Sequence, residues 1–81
     1  MRDNDLLILG DRVRVARRIK GWSQEELAER ASLDRSYIGG VERGERNITI
    51  STLMSLCRAL ECEAQDVVQG LPLQNVQSPH D

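Results

Sequence analysis

The sequence predicts an all-α fold, a compact five-helix bundle with a helix-turn-helix at its centre. Three observations lead there. Leu6, Leu9, Val13 and Ala16 recur at i, i+3, i+7 and i+10, which is helical spacing. Ser23, Asp34 and Thr49 stand where N-cap residues open helices, and Gly21, Gly44 and Gly70 stand where helices close. No segment alternates apolar and polar residues as a half-buried strand does, apart from a brief one over residues 47–52.

The first helix is expected over residues 5–20, capped by Asp3, Asn4 or Asp5 and ended by Gly21. Ser23, Gln24, Glu25 and Glu26 form a capping box that opens the second helix, with Leu27, Ala28 and Ala31 turned inward. Asp34 caps the third after a very short connection, so the second and third helices read as a helix-turn-helix. The third runs over residues 35–43, with Gly44 closing it. Thr49 caps a fourth over residues 50–60, with Ile50, Leu53, Met54, Cys57 and Leu60 inward. A fifth follows over residues 64–69, closed by Gly70. These helices make one domain over residues 1–70. Residues 71–81 contain two prolines and no periodicity, and are expected to form a flexible tail.

The chain has 81 residues, 40% hydrophobic and 30% charged, as an ordinary globular domain has. Trp22 and Tyr37 are its only aromatic residues, so the core must be aliphatic. A domain this small buries only about 60–65% of its unfolded surface, and association with a second copy would help it. No apolar run reaches membrane-spanning length, and the patch Leu6 to Leu9 is too short for a signal peptide, so a cytoplasmic location is expected. Cys57, Cys62 and the lone His80 do not have zinc-ligand spacing, and no metal or cofactor is expected. No nucleophile–base pair or phosphate-binding loop is present, which argues against an enzyme. Net charge is −2, yet residues 11–46 carry +2 and the remainder −4, leaving a mildly basic centre.

Gly39 and Gly40 lie side by side inside the third helix, where each costs about 1 kcal/mol relative to alanine. With Arg35 at zero and about 100° per residue, Ser36, Gly39, Gly40 and Arg43 share its arc, while Ile38 and Val41 point the other way. The outward face therefore carries two arginines, a serine and a bare strip of backbone. That suits close approach to a DNA major groove, about 12 Å wide, with Arg35 placed to reach a guanine. Close packing of another helix, or a weak but tolerated surface position, is the alternative reading of such a strip.

The run SQEELAERASLDRSYIGGVERGERNITISTLMSLCRALE resembles the Cro/C1-type helix-turn-helix family, also called the XRE family. The matching positions are Ser23, Gln24, Leu27, Ala28, Ile38, Val41, Glu42, Gly44, Leu53, Leu56, Ala59 and Leu60. Within that family, LDRSYIGGVERGERNITI is most similar to the controller proteins of restriction–modification systems. The resemblance implies a lambda-repressor-like DNA-binding fold and a dimeric transcription regulator acting on its own promoter. Gln24 would hold phosphate or brace the recognition helix. Arg35 and Ser36 would face bases, and Tyr37 and Arg43 would reach phosphates. Arg46 and Asn47, beyond the helix, would also approach DNA. Several repressors carry a base-reading side chain at the position of Gly40. Glycine supplies none, so Gly40 belongs to the DNA-facing strip and readout falls mainly to Arg35. The same resemblance pairs Arg17 with Glu42 as a structural salt bridge.

Ala64, Val67, Val68, Leu71 and Leu73 give the last helical segment more aliphatic surface than a small monomer's terminal helix needs. A homodimer across a twofold axis would bury it; folding back onto the fourth helix is the alternative. A dimer implies double-stranded DNA with a pseudo-palindromic operator, with half-sites about 34–36 Å apart. RNA polymerase is a further candidate partner. The alternative functions are a phage-type repressor and the antitoxin of a toxin–antitoxin pair.

Overall fold

The computed structural model describes residues 3–71; of the expected tail at 71–81, Leu71 packs against the core and residues 72–81, including Leu73, lie outside the described residues. Five helices follow one another: α1 (Asp3–Ile19), α2 (Gln24–Ala31), α3 (Arg35–Glu42), α4 (Ile50–Leu60) and α5 (Ala64–Val68). No helix among the described residues is long and apolar enough to cross a membrane.

Local chemistry sets the helix ends. α1 begins at Asp3, two residues earlier than expected, so Asn4 and Asp5 are first-turn residues rather than caps. Its last turn carries Arg17 and Arg18, favourable against the negative end of the helix dipole, and Gly21 then turns the chain at φ +77°. The Ser23 hydroxyl accepts the Glu26 amide at 3.1 Å and opens α2. The Asp34 carboxylate accepts the Ser36 amide at 3.0 Å and opens α3, and the Thr49 hydroxyl accepts the Thr52 amide at 3.2 Å at the head of α4. α5 is shorter than expected and opens with a reciprocal pair between Glu63 and Asp66. α2 and α4 close on Ser32 and Glu61, both left-handed without being glycine.

Leu9, Val13, Leu27, Ile38, Val41 and Leu56 are fully enclosed. Each such side chain contributes about 1.5–3 kcal/mol, against about 1 kcal/mol for a cap, so the core outweighs the helix ends. α3 lies against both α1 and α2, and α4 packs on α2. Ile48, in the α3–α4 connection, plugs the same core. Gly10 permits the tight α1–α3 crossing: a Cβ there would stand 2.3 Å from the Val41 carbonyl oxygen. Trp22 packs half-buried against the core, with the Arg30 guanidinium 4.3 Å and the Lys20 ammonium 5.8 Å from its ring centre.

Several expectations are corrected. Ile50 and Met54 are each 40% exposed rather than inward, because α4 buries the stripe through Leu53, Leu56, Cys57 and Leu60. Val67 and Val68 are 3% and 8% exposed within the single chain. They fold onto α1 and α4 and leave little for a partner subunit to cover, contrary to their expected place in a dimer interface. Ala64 and Leu71 remain half-buried. Arg12 donates to the carbonyls of Val67 at 3.1 Å and Gln69 at 2.6 Å and ties down the end of α5.

Candidate nucleic-acid interface

The helix-turn-helix is fixed from behind by one ionic knot. Arg17 on α1 faces Glu42 at the end of α3 in a two-pronged pair, Nε to Oε2 at 2.7 Å and Nη2 to Oε1 at 2.9 Å. Its remaining nitrogen, Nη1, donates to the Trp22 carbonyl at 2.8 Å. Gln24, at the start of α2, donates its amide to Glu42 Oε1 at 3.0 Å. Arg17 and Glu42 are 8% and 4% exposed. The Glu42 hydrogen bonds raise the Arg17 pKa above its ordinary value, partly opposed by burial, so the guanidinium stays charged. One carboxylate thus locks three helices, and Gln24 braces α3 from inside.

The connection between α2 and α3 is three residues, Ser32 to Asp34. The left-handed Ser32 supplies the sharp turn, and its amide closes α2 on the Glu29 carbonyl. Asp34 then starts α3. The Ser36 hydroxyl and amide both donate to its carboxylate, which holds the Asp34 pKa below the ordinary carboxylate value. The Ser36 hydroxyl proton is therefore committed to the cap, leaving its oxygen lone pairs to meet a donor. Arg35 is exposed beside it and makes no ion pair among the described residues.

The remaining predicted contacts gather along the same helix and beyond its end. Tyr37 is half-buried; its ring packs on the core while its hydroxyl donates to the Asn47 carbonyl at 3.3 Å. Arg43 caps α3 and ion-pairs with Glu45 at 3.0 Å. Arg46 lies with its guanidinium 5.9 Å from the Tyr37 ring centre. Asn47 is exposed.

The strip of backbone expected to be bare is covered. Gly39 and Gly40 are buried, because side chains from beyond the helix fold over them. A Cβ on Gly39 would stand 3.0 Å from Arg43 Nη1, and one on Gly40 would stand 2.7 Å from Arg46 Cγ. The outward face of α3 therefore presents Arg35 at its head and the guanidinium groups of Arg43 and Arg46 along its length.

Comparison with known proteins places this arrangement. The helix-turn-helix family model HTH_3 matches residues 13–67. Control protein C.SmaI of Serratia marcescens is 47% identical over 70 residues, which span 86% of this chain and 83% of that protein. The chain belongs to the controller proteins of the helix-turn-helix family. Among solved controller proteins, C.AhdI of Aeromonas hydrophila shares 47% identity, with a TM-score of 0.78 over 79% of this chain and 97% of its own. The C.Esp1396I tetramer, solved in complex with its natural 35 base-pair operator, shares 40% identity with a TM-score of 0.68, covering 72% of this chain and 76% of its own. These solved controllers share the five-helix fold over most of the chain.

Two local features beside this controller's outward face do not follow from the sequence reading. Glu45 partners Arg43, a short-range charge pair two residues apart that the sequence displays openly. Gly44, at φ +74°, lies so close to α1 that a Cβ would stand 2.8 Å from the Leu7 side chain. Its place at the end of α3 is legible in the sequence; its close approach to α1 is not.

Proposed function

We propose that this controller protein binds a pseudo-palindromic operator as a twofold homodimer and regulates transcription of its own restriction–modification genes. The observation that carries the reading is the arginine-lined outward face of α3, fixed from behind by Arg17, Glu42 and Gln24. A relative of the same fold was solved on its operator, which supports transfer of DNA binding to this chain.

α3 enters the major groove. Arg35 reads a base edge, with Ser36 beside it as an acceptor. Arg43, Tyr37, Arg46 and Asn47 meet the backbone and flanking bases. Gln24 acts through Glu42 as a brace. Ala64 and Leu71 lie at the dimer contact, and two copies of α3 meet successive major grooves about 34–36 Å apart. With the whole chain at −2, binding depends on this local face and weakens steeply with salt. Dimerisation on rising protein concentration sets occupancy.

The test is selection from random double-stranded DNA by the purified protein at physiological salt. Enrichment of a symmetric motif with two half-sites one turn apart is expected. A folded dimer that enriches no motif, or a protein that copurifies with a toxin and binds DNA only with it, would overturn the reading.

A further inference from the structure

Gly40 raises a question that the proposed function leaves open, because a base-reading helix with no side chain at its centre gives up a contact. The geometry supplies the reason. Arg46 leaves the chain four residues after the end of α3 and returns across it. Its Cγ, Nε and Cδ would lie 2.7, 3.2 and 3.5 Å from a Cβ on Gly40, and these are the three nearest atoms such a Cβ would meet. The guanidinium then lies over Tyr37, whose hydroxyl holds the loop at the Asn47 carbonyl. Gly39 seats Arg43 in the same way, but there the nearest atom is Nη1, at the far end of a flexible side chain.

We infer that Gly40 is a positioning residue for readout: its empty side-chain site seats Arg46 on α3, so that a loop arginine supplies the contact that other readers take from the helix itself. The inference rests on the DNA-binding reading above. The two seats differ in strictness. At Gly39 the terminal nitrogens of Arg43 can swing aside. At Gly40 the clash falls near the root of Arg46, so the whole side chain must leave its path.

The experiment measures binding of the full-length protein to its selected operator and to every single-base-pair variant of it, for wild type, Gly40→Ala, Gly39→Ala, Arg46→Ala and the double Gly40→Ala/Arg46→Ala. Gly40→Ala should lose the same base-pair preferences as Arg46→Ala, roughly 5- to 150-fold where a bidentate contact is lost, while preferences due to Arg35 persist. The double variant should match Arg46→Ala alone, because the two changes remove one contact. Gly39→Ala should change the profile far less. If Gly40→Ala loses helical circular dichroism, the double variant should recover it, since only Arg46 stands in the way. Gly40→Ala with the wild-type profile, additive losses in the double variant, or a double variant as unfolded as Gly40→Ala would each overturn the seat. A wild type that selects no operator would overturn the DNA-binding reading itself and the seat with it.

Discussion

Replacing Arg17 with alanine removes two of the three hydrogen bonds that Glu42 accepts, at 2.7 and 2.9 Å, and leaves the 3.0 Å bond from Gln24. The carboxylate stays 4% exposed with no countercharge. Breaking one side of such a buried pair costs about 3–5 kcal/mol. A domain of this size holds about 5–15 kcal/mol in total, so the variant sits close to unfolding. The thermal midpoint should fall by roughly 12 °C or more. Urea denaturation followed by helical circular dichroism measures the loss directly, and the midpoint should drop with an unchanged slope. Arg17→Lys keeps the charge but not the fork, and should recover only part of the loss. DNA binding must be compared where both proteins are folded, and there Arg17→Ala should bind nearly as wild type does. A loss below about 1 kcal/mol, the worth of an exposed ion pair, would refute the assignment of Arg17 and Glu42 as the structural lock.

Three further outcomes follow from the packing and the ionisable groups. Gly10→Ala would place a Cβ 2.3 Å from the Val41 carbonyl oxygen, against backbone that cannot swing away. Thermal melting should show a lower midpoint, a loss of roughly 1–3 kcal/mol despite alanine's better helix propensity, and a raised midpoint would contradict the close crossing. Asp34 has a lowered pKa in the fold, so its capping contribution is present above the ordinary carboxylate value near about 3.9 and disappears as pH falls through the lowered value. Asp34→Asn caps without titrating, so circular dichroism during acid titration should show a flatter decline for the variant. Burial, reinforced by neighbouring Cys62, pushes the Cys57 thiol up to about 12. An unfolded chain ionises near about 8.5, so between these values it gives up a proton that the fold keeps, and stability should fall as pH rises. Urea midpoints from pH 8 to pH 10 should show that decline in wild type and a shallower one in Cys57→Ala.

The elements that could be read from the sequence were those decided within one turn of chain. Ser23, Asp34 and Thr49 cap their helices with their own side chains, and Gly21, Gly44 and Gly70 adopt the positive φ that ends a helix or turn. The helical wheel placed Ile38 and Val41 inward and Arg35 and Ser36 outward, as the structure has them. It failed where a residue's surroundings come from elsewhere. Gly39 and Gly40 lie on the outward arc, yet Arg43 and Arg46 bury them, and a wheel carries no information about side chains that return from a later loop. Val67 and Val68 resembled interface residues because a short terminal helix has no visible partner in its own pattern; α1 and α4 provide one. Arg12 finds its partners in the open carbonyls at the end of α5, 55 and 57 residues away, where no local pattern points to them. Ile50 and Met54 fit a helical stripe, but Leu56, one position off that stripe, is the side chain the core encloses.

The most direct test of the account is the ratio of affinities for the selected operator and for random DNA, measured by fluorescence anisotropy for wild type and Arg35→Ala at one fixed salt concentration. Arg35 is exposed at the head of α3 and makes no ion pair among the described residues, so its removal should leave the helical signal and thermal midpoint unchanged. The account predicts a loss of about 1–3 kcal/mol in discrimination, confined to one base position in each half-site, with binding to random DNA nearly as before. Equal weakening on operator and random DNA would make Arg35 a phosphate contact and contradict the claim that α3 reads sequence through it.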